Sequence, residues 1–393
     1  MIAVVGGGLI GACVAFELSQ NGEDVLVLDA DLLGAAWRAG AGLLTPSGER
    51  LNGTPLEADA LESLSLWPDF ARRLEEVSGQ SVGFRQGLYR VAFNEEEARQ
   101  LNADTDGEAV ALNTRVDERG LRLLPNMEQT SSIGRENQPR SSGCDAKLGD
   151  APVGNANIQS TPNALAHLSA ARFHALEGRV HPPSVRNAAL SGLPVLHARV
   201  KGIEPLEEGV ELHLDSGEII EARLAVLCCG AWSGAFGLPI RAVQGQALLL
   251  EGSPDSPVLY GPPQSGSSQY ALGRPDGLYV GATSRDSGTE GTCPDSKAVV
   301  ELRDKARRLM GEATAQAPLL QHLVGFRPTT PDGSPLIERH PELANVVVAT
   351  GHSRHGVLLA PLTACRVLQL VRELLGEHAH QREEAALALE VSA

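Results

Sequence analysis

The run Gly6-Gly7-Gly8-Leu9-Ile10-Gly11 restricts this chain to few folds. Before it, Ile2 to Val5 is a short apolar stretch dense in β-branched residues, which reads as a buried strand. After it, Ile10, Cys13, Val14 and Leu18 recur at helical spacing, and Asn21-Gly22 marks where that helix ends. The stretch from Asp24 to Asp29 reads as a second buried parallel strand that closes a βαβ unit. In that setting each part of a GxGxxG turn has a task in dinucleotide binding. Gly6 permits the tight turn, Gly8 lets the backbone approach a pyrophosphate, and Gly11 lets the helix pack close to the strand. Leu9 and Ile10 open the helix, whose positive end faces the phosphates. Asp29, at the end of the second strand, is placed to accept hydrogen bonds from a ribose hydroxyl. The unit by itself does not separate FAD from NAD.

At 393 residues the chain exceeds the usual size of one domain, and two intertwined domains are expected. A net charge of −16 with no cluster of Lys and Arg argues against a nucleic-acid partner. The six cysteines include no CxxC pair and no Cys/His spacing that would hold zinc, so no metal is expected. Cys228 and Cys229 fall in an apolar run and read as small residues of a buried strand. No uncharged apolar run approaches the ~20 residues of a membrane helix. Strand-like sequence from Ile2 leaves no room for a signal peptide. The expectation is a cytoplasmic protein with no membrane partner; a homo-oligomer stays open.

The stretch from Asp59 to Gly79 reads as a helix whose apolar stripe, Leu61, Leu64, Trp67, Phe70 and Leu74, belongs to the core. From about Gln129 to Thr161 the chain turns polar and loses periodicity, and residues 129–170 are expected to be an irregular insertion. Val210, Leu212 and Leu214 alternate before the turn Asp215-Ser216-Gly217, with Ile219 and Ile220 beyond it. A continuous apolar strand from Leu224 to Cys229 ends in Gly230-Ala231-Trp232-Ser233-Gly234. Further strands are expected around Gln246 to Leu250 and Leu278 to Thr283, then a helix from about Lys297 to Met310. Asn345 to Thr350 reads as a strand, Gly351 to Gly356 as a turn, and Val357 to Leu375 as a helix. Residues 377–393 read as a tail, either a frayed surface helix or disordered.

In order along the chain, these pieces resemble the amino-acid-oxidising flavoenzymes of the D-amino-acid oxidase and glycine oxidase family. The resemblance is carried by the first glycine turn with Asp29, by Ala39 to Leu44, by Val226 to Ser233 and by Gly245-Gln246. Tyr270 to Arg274, Val280 to Thr283, Gly325 to Gly333 (GFRPTTPDG) and Ala349 to Pro361 (ATGHSRHGVLLAP) complete it. Residues from about 100 to 178 find no clear counterpart. The resemblance implies an α/β fold with two parts. A Rossmann-like FAD-binding domain would take 1–80, 180–238 and 325–376. A mixed, mostly antiparallel substrate-binding sheet domain would take 81–128 and 239–324.

The resemblance also implies roles. Arg327 would hold a substrate carboxylate through two parallel charge-assisted hydrogen bonds, with Tyr270 beside it and Arg354 at the mouth. Gly351, His352, Gly356, Val357 and Leu358 would form the turn and helix start under the flavin ring, where backbone N–H groups stabilise negative charge. The imidazoles of His352 and His355 have no required chemistry there and read as structural. Ala41, Gly42 and Leu43 would lie along the other side of the ring. Val200 would stand on the adenine-contacting strand, and Gly230 and Trp232 in the motif after the long apolar strand.

Three departures stand out. Gly273 replaces a usual proline, which would loosen the strand carrying Tyr270. Ser268 and Ser284 stand where larger pocket side chains are common. Gly325 occupies the position where related sarcosine oxidases attach flavin through cysteine, which makes the FAD non-covalent. The implied reaction passes a hydride from the α carbon of a small amino acid, glycine foremost, to flavin N5. Imine hydrolysis then gives an oxo acid and ammonia, and oxygen is reduced to hydrogen peroxide. The motifs look most like glycine oxidases that feed thiazole synthesis for thiamine. The competing readings are a D-amino-acid dehydrogenase, a sarcosine-type oxidase, a non-catalytic flavin subunit and an NAD-linked dehydrogenase.

Overall fold

The computed structural model describes residues 1–103, 108–109, 168–264, 267–286, 288–289 and 291–391. Nearly all of the expected insertion, residues 129–167, lies outside the described residues.

The expected βαβ unit forms from β1 (Ile2–Val5), α1 (Leu9–Gln20) and β2 (Val25–Leu28). β1 pairs in parallel with β2 on one side and with Leu224–Leu227 on the other. Leu224–Leu227 pairs in turn, also in parallel, with Val346–Thr350. Three distant stretches of chain thus meet in one six-stranded sheet. These strands are apolar along their length because both faces of the sheet are covered, partly by α1 packed against the helix Gly356–Val391. The carboxyl ends of the parallel strands share one edge, where ligands of such sheets bind.

A second sheet of ten strands is mixed and largely antiparallel. Arg241–Leu250 pairs with Gly277–Gly281 and with Leu319–Thr329, and Ser267–Arg274 lies beyond Gly277–Gly281. The boundary expected between residues 324 and 325 falls inside Leu319–Thr329, so Arg327 stands on this sheet. Lys305, fully buried on the helix Ser296–Met310, ties that helix to the sheet. Its Nζ donates to Ser267 Oγ and Ala282 O at 2.7 Å each and to Ser268 O at 3.3 Å. Burial pulls its amine below the ordinary value, and Glu301 at 3.0 Å opposes the shift.

Several expectations change here. The helix Glu57–Ser78 turns Ala60, Ser63, Trp67, Phe70 and Leu74 inward and leaves Leu61 52% exposed. A polar anchor sets that face: Ser63 Oγ and Trp67 Nε1 both donate to Leu358 O, at 2.7 and 3.0 Å. The strand expected to reach Cys229 stops at Leu227. Residues 170–179, read as the end of an unmatched stretch, form the strand Ala170–Arg179 paired with Arg85–Ala92. The final helix begins at Gly356 and runs to Val391, through most of the expected tail.

Gly273 lies in the strand Ser267–Arg274 and pairs there with Leu278. A Cβ at residue 273 would stand 2.5 Å from Pro254 O, so the close approach of a neighbouring backbone requires glycine. Among the described residues, no helix is long and apolar enough to cross a membrane.

Candidate functional site

A cavity of about 960 Å³ is bordered by the ends of β1 and β2 and by residues of the ten-stranded sheet. Every expected site residue borders it except Gly11 and Gly351. Those two act through packing. A Cβ on Gly11 would stand 1.9 Å from Gly6 O, and Gly351 turns the chain at φ +80° against Thr330.

At the first glycine turn, Gly6 adopts φ +101° and its N–H donates to Leu28 O at 2.7 Å. The atom nearest to a Cβ on Gly8 would be Trp37 Cδ1 at 3.5 Å, and a Cβ on Gly230 would meet nothing within 4 Å. Both glycines border the cavity, so bare backbone faces open space there, as a pyrophosphate-bearing chain requires. The residues present therefore fit a dinucleotide. Asp29 is buried; its Oδ2 accepts from Arg186 Nη2 at 2.7 Å and its Oδ1 accepts from the Asp31 N–H at 3.2 Å. Arg186 also donates through Nε to Gly7 O at 2.6 Å, and its guanidinium lies 4.5 Å from the centre of the Trp37 ring. Sequence reasoning missed Arg186, which is 157 residues from Asp29 and sits in no motif.

The segment with Ala41, Gly42 and Leu43 is clasped from the ten-stranded sheet. Tyr279 donates its hydroxyl to Ala39 O at 2.7 Å, and Arg274 Nη1 donates to Gly40 O at 2.8 Å. Gly42, at φ +88°, has no room for a Cβ, which would stand 2.0 Å from Val180 O.

At the other end of the cavity, Tyr270 is buried, and its ring stacks on Tyr279 at 6.1 Å and tilts against Tyr260 at 5.5 Å. Burial pushes all three phenols above their ordinary value, so each remains an O–H group. The guanidinium of Arg327 lies across Gly245, where a Cβ would stand 2.3 Å from Nη2, and Nη1 donates to Thr283 O at 3.3 Å. Ser268 and Ser284 border the same region, as expected. Arg354 is half-exposed at the mouth; its Nε lies 2.7 Å from Glu49 Oε2. Glu49 was also missed. Burial raises its carboxyl above the ordinary value, against the lowering by Arg354, a hydrogen bond from Tyr260 and Arg327.

The turn after Val346–Thr350 carries His352 and His355 and leads into the helix start at Gly356. The helix start borders the cavity, and its first-turn N–H groups have no partner within the helix. His352 Nε2 lies 2.9 Å from Thr363 Oγ1. Burial, with the neighbouring His355 adding to it, pushes His352 down to about 3. Burial and then Arg354 push His355 down to about 4. Both imidazoles are therefore neutral at pH 7. The unfolded chain binds more protons below its ordinary value of ~6.5, so stability present above that pH is lost as pH falls. Between pH 6.5 and 5 each imidazole is expected to cost about 2 kcal/mol. Urea unfolding of the apoprotein at the two pH values checks this, with a smaller loss in His355→Asn. An equal loss in that variant would remove His355 from the account.

The model of the FAD dependent oxidoreductase (DAO) family matches residues 1–370. The chain belongs to that family. As a member, it is an FAD-dependent oxidoreductase, with a glycine turn, cavity and second sheet that suit the cofactor. It is 29% identical over 385 residues to a glycine oxidase of Geobacillus kaustophilus, an alignment covering 94% of this chain and 92% of that one. A solved structure of glycine oxidase from the same organism has a TM-score of 0.72 at 25% identity, over 95% of this chain and 94% of the other. A bifunctional ThiO/ThiG protein of Trichormus variabilis is 28% identical over 387 residues. That match covers 95% of this chain, which spans about half the length of that relative (52%).

Proposed function

We propose that the protein oxidises a small amino acid, glycine foremost, to the oxo acid and ammonia, with oxygen reduced to hydrogen peroxide. One observation carries the proposal: Arg327 and Tyr270 border the same cavity as the first glycine turn and the helix start at Gly356. A carboxylate clamp beside a flavin site has a use in amino-acid oxidation and none in a carrier subunit.

Bound FAD, held without a covalent link since residue 325 is glycine, supplies a ring that accepts a hydride from the substrate α carbon. The chain's own residues do the rest. Asp29 accepts from a ribose hydroxyl, and the turn at Gly6 and Gly8 admits the pyrophosphate. Arg327 fixes the substrate carboxylate by two parallel hydrogen bonds, and Tyr270, kept as a phenol by burial, donates a third. Holding the reactant in one orientation supplies the proximity contribution to rate. The N–H groups at Gly356, Val357 and Leu358 place positive potential where negative charge develops. In this division of labour the parallel sheet serves the cofactor and the ten-stranded sheet the substrate. The ThiO/ThiG relative extends the proposal to a role in supplying thiazole synthesis for thiamine.

The test is the visible spectrum of the purified holoenzyme without oxygen, before and after glycine, sarcosine, D-alanine or D-proline. Fastest bleaching by glycine is expected. A spectrum that none of the four changes would leave the cofactor standing and remove the amino-acid reaction. Faster bleaching by sarcosine or a D-amino acid would replace glycine as the substrate.

A further inference from the structure

Packing alone does not account for the burial of Lys305. It is 0% exposed and stands in the buried stripe of Ser296–Met310 with Leu302, Ala306 and Leu309. An apolar side chain would fill that place without electrostatic cost, whereas a buried cation is unfavourable unless its hydrogens find acceptors. An ammonium carries three donors. Here they face Ser267 Oγ and Ala282 O at 2.7 Å each, Glu301 Oε1 at 3.0 Å and Ser268 O at 3.3 Å. Ser268 O and Ala282 O are backbone carbonyls from separate stretches of chain, and the amine joins them.

Those carbonyls belong to the wall of the substrate end. The ladder between Ser267–Arg274 and Gly277–Gly281 ends at the pair of Tyr270 with Gly281. Past that pair, Ser267, Ser268, Ala282 and Thr283 border the cavity, while Lys305 itself does not. The Ala282 N–H still donates to Ser268 O at 3.1 Å, and Lys305 reinforces this junction. Ala282 separates the seats of Tyr270 and Arg327. On one side is Gly281, under the Tyr270 ring, where a Cβ would stand 2.5 Å from Tyr270 Cε2. On the other is Thr283, whose carbonyl accepts from Arg327 Nη1 at 3.3 Å. Thr283 also donates its N–H to Gln246 O at 3.0 Å, and its Oγ1 accepts from the Gln246 N–H at 2.9 Å.

We propose that Lys305 is a positioning residue for the oxidation: by gripping Ala282 O and Ser268 O, it sets Tyr270 and Arg327 in the relation that one substrate carboxylate needs. This rests on the amino-acid oxidation proposed above and adds a residue to its machinery. Standing outside the cavity wall, Lys305 acts only through the backbone on which both clamp members rest. Without it, Ala282 O and Ser268 O lose a shared donor, and Gly281 and Thr283 are free to shift with Ala282. The carboxylate would still find Arg327 and Tyr270. The α carbon, however, would be held off the orientation that hydride transfer requires, so the loss falls on rate more than on binding.

The variant is Lys305→Met, close to lysine in length and without donors, studied as holoenzyme. Glycine, sarcosine, D-alanine and D-proline are first tried on the native protein, and the fastest is used. In anaerobic stopped-flow reduction the limiting rate should fall about thirtyfold, with the apparent dissociation constant of the amino acid raised no more than about threefold. Leu302→Ala, a cavity in the same buried stripe, gives the comparison: it should lower the thermal midpoint and leave the limiting rate near the native one. Should Lys305→Met fail to hold FAD, Lys305→Gln takes its place. Its amide ends one bond short of the lysine amine, and a loss of about tenfold in limiting rate is expected. A native limiting rate in the lysine variant, or an equal loss in Leu302→Ala, overturns this proposal alone. So does a weaker dissociation constant with an unchanged limiting rate. If none of the four amino acids reduces the native flavin, the amino-acid reaction itself fails, and this role with it.

Discussion

Replacing Arg327 by alanine is expected to lower kcat/KM for amino-acid-driven flavin reduction about a thousandfold while FAD stays bound. Losing one partner of a desolvated, hydrogen-bonded charge pair costs about 2–5 kcal/mol. Some 4 kcal/mol corresponds to roughly three orders of magnitude in rate. The cofactor should stay because Arg327 stands on the ten-stranded sheet, whereas the first glycine turn and Asp29 follow strands of the six-stranded sheet. Arg327→Lys should recover only part of the loss, since an ammonium cannot reproduce the two parallel bonds of a guanidinium. Stopped-flow reduction without oxygen measures the rate, and the flavin-to-protein absorbance ratio measures retention. Unchanged reduction kinetics in Arg327→Ala would remove the clamp.

Gly11→Ala is expected to yield a protein that no longer keeps FAD. The added Cβ would stand 1.9 Å from Gly6 O and 3.1 Å from Cys228 Cβ, so either α1 or the turn must shift. Overpacking of this kind costs about 3 kcal/mol or more, over a hundredfold in affinity if it falls on the bound state. FAD titration of the apoprotein and its thermal midpoint should both fall. Gly8→Ala separates the two effects, since its Cβ meets no protein atom closer than 3.5 Å. It should leave the apoprotein's midpoint alone and weaken FAD binding. Full FAD affinity in Gly8→Ala would move the cofactor away from this turn.

What the sequence made legible was whatever depends on neighbours along the chain. The first glycine turn, the helix after it and the acid ending β2 follow from local spacing, and the structure forms them as expected. Arg327 was found through its surrounding motif, although Leu319–Thr329 was not foreseen as a strand. Residues whose meaning comes from a distant partner stayed hidden. Arg186 matters because it meets Asp29 and Gly7, and Glu49 because it meets Tyr260 and Arg354. Neither lies in a periodic pattern or a motif. The error at Leu61 has a physical cause as well. A stripe chosen by hydrophobicity alone passed over Ser63, yet the bond from its hydroxyl to Leu358 O helps turn the helix. Apolar patterning cannot register a polar side chain that is buried because it has a partner.

One continuous stretch, Ala36 to Glu49, walls the cavity with Ala41, Gly42 and Leu43 and ends at the carboxylate facing Arg354. It is fastened by Tyr279, Arg274 and Glu177, which belong to the ten-stranded sheet that Leu43–Leu44 itself joins. Cofactor retention and substrate choice are therefore inherited together through this stretch, and a change that improves one will disturb the other. Ser268 and Ser284 stand outside it in the sequence and also border the cavity. Directed evolution toward new amines should begin at those two serines and leave Ala36 to Glu49 untouched.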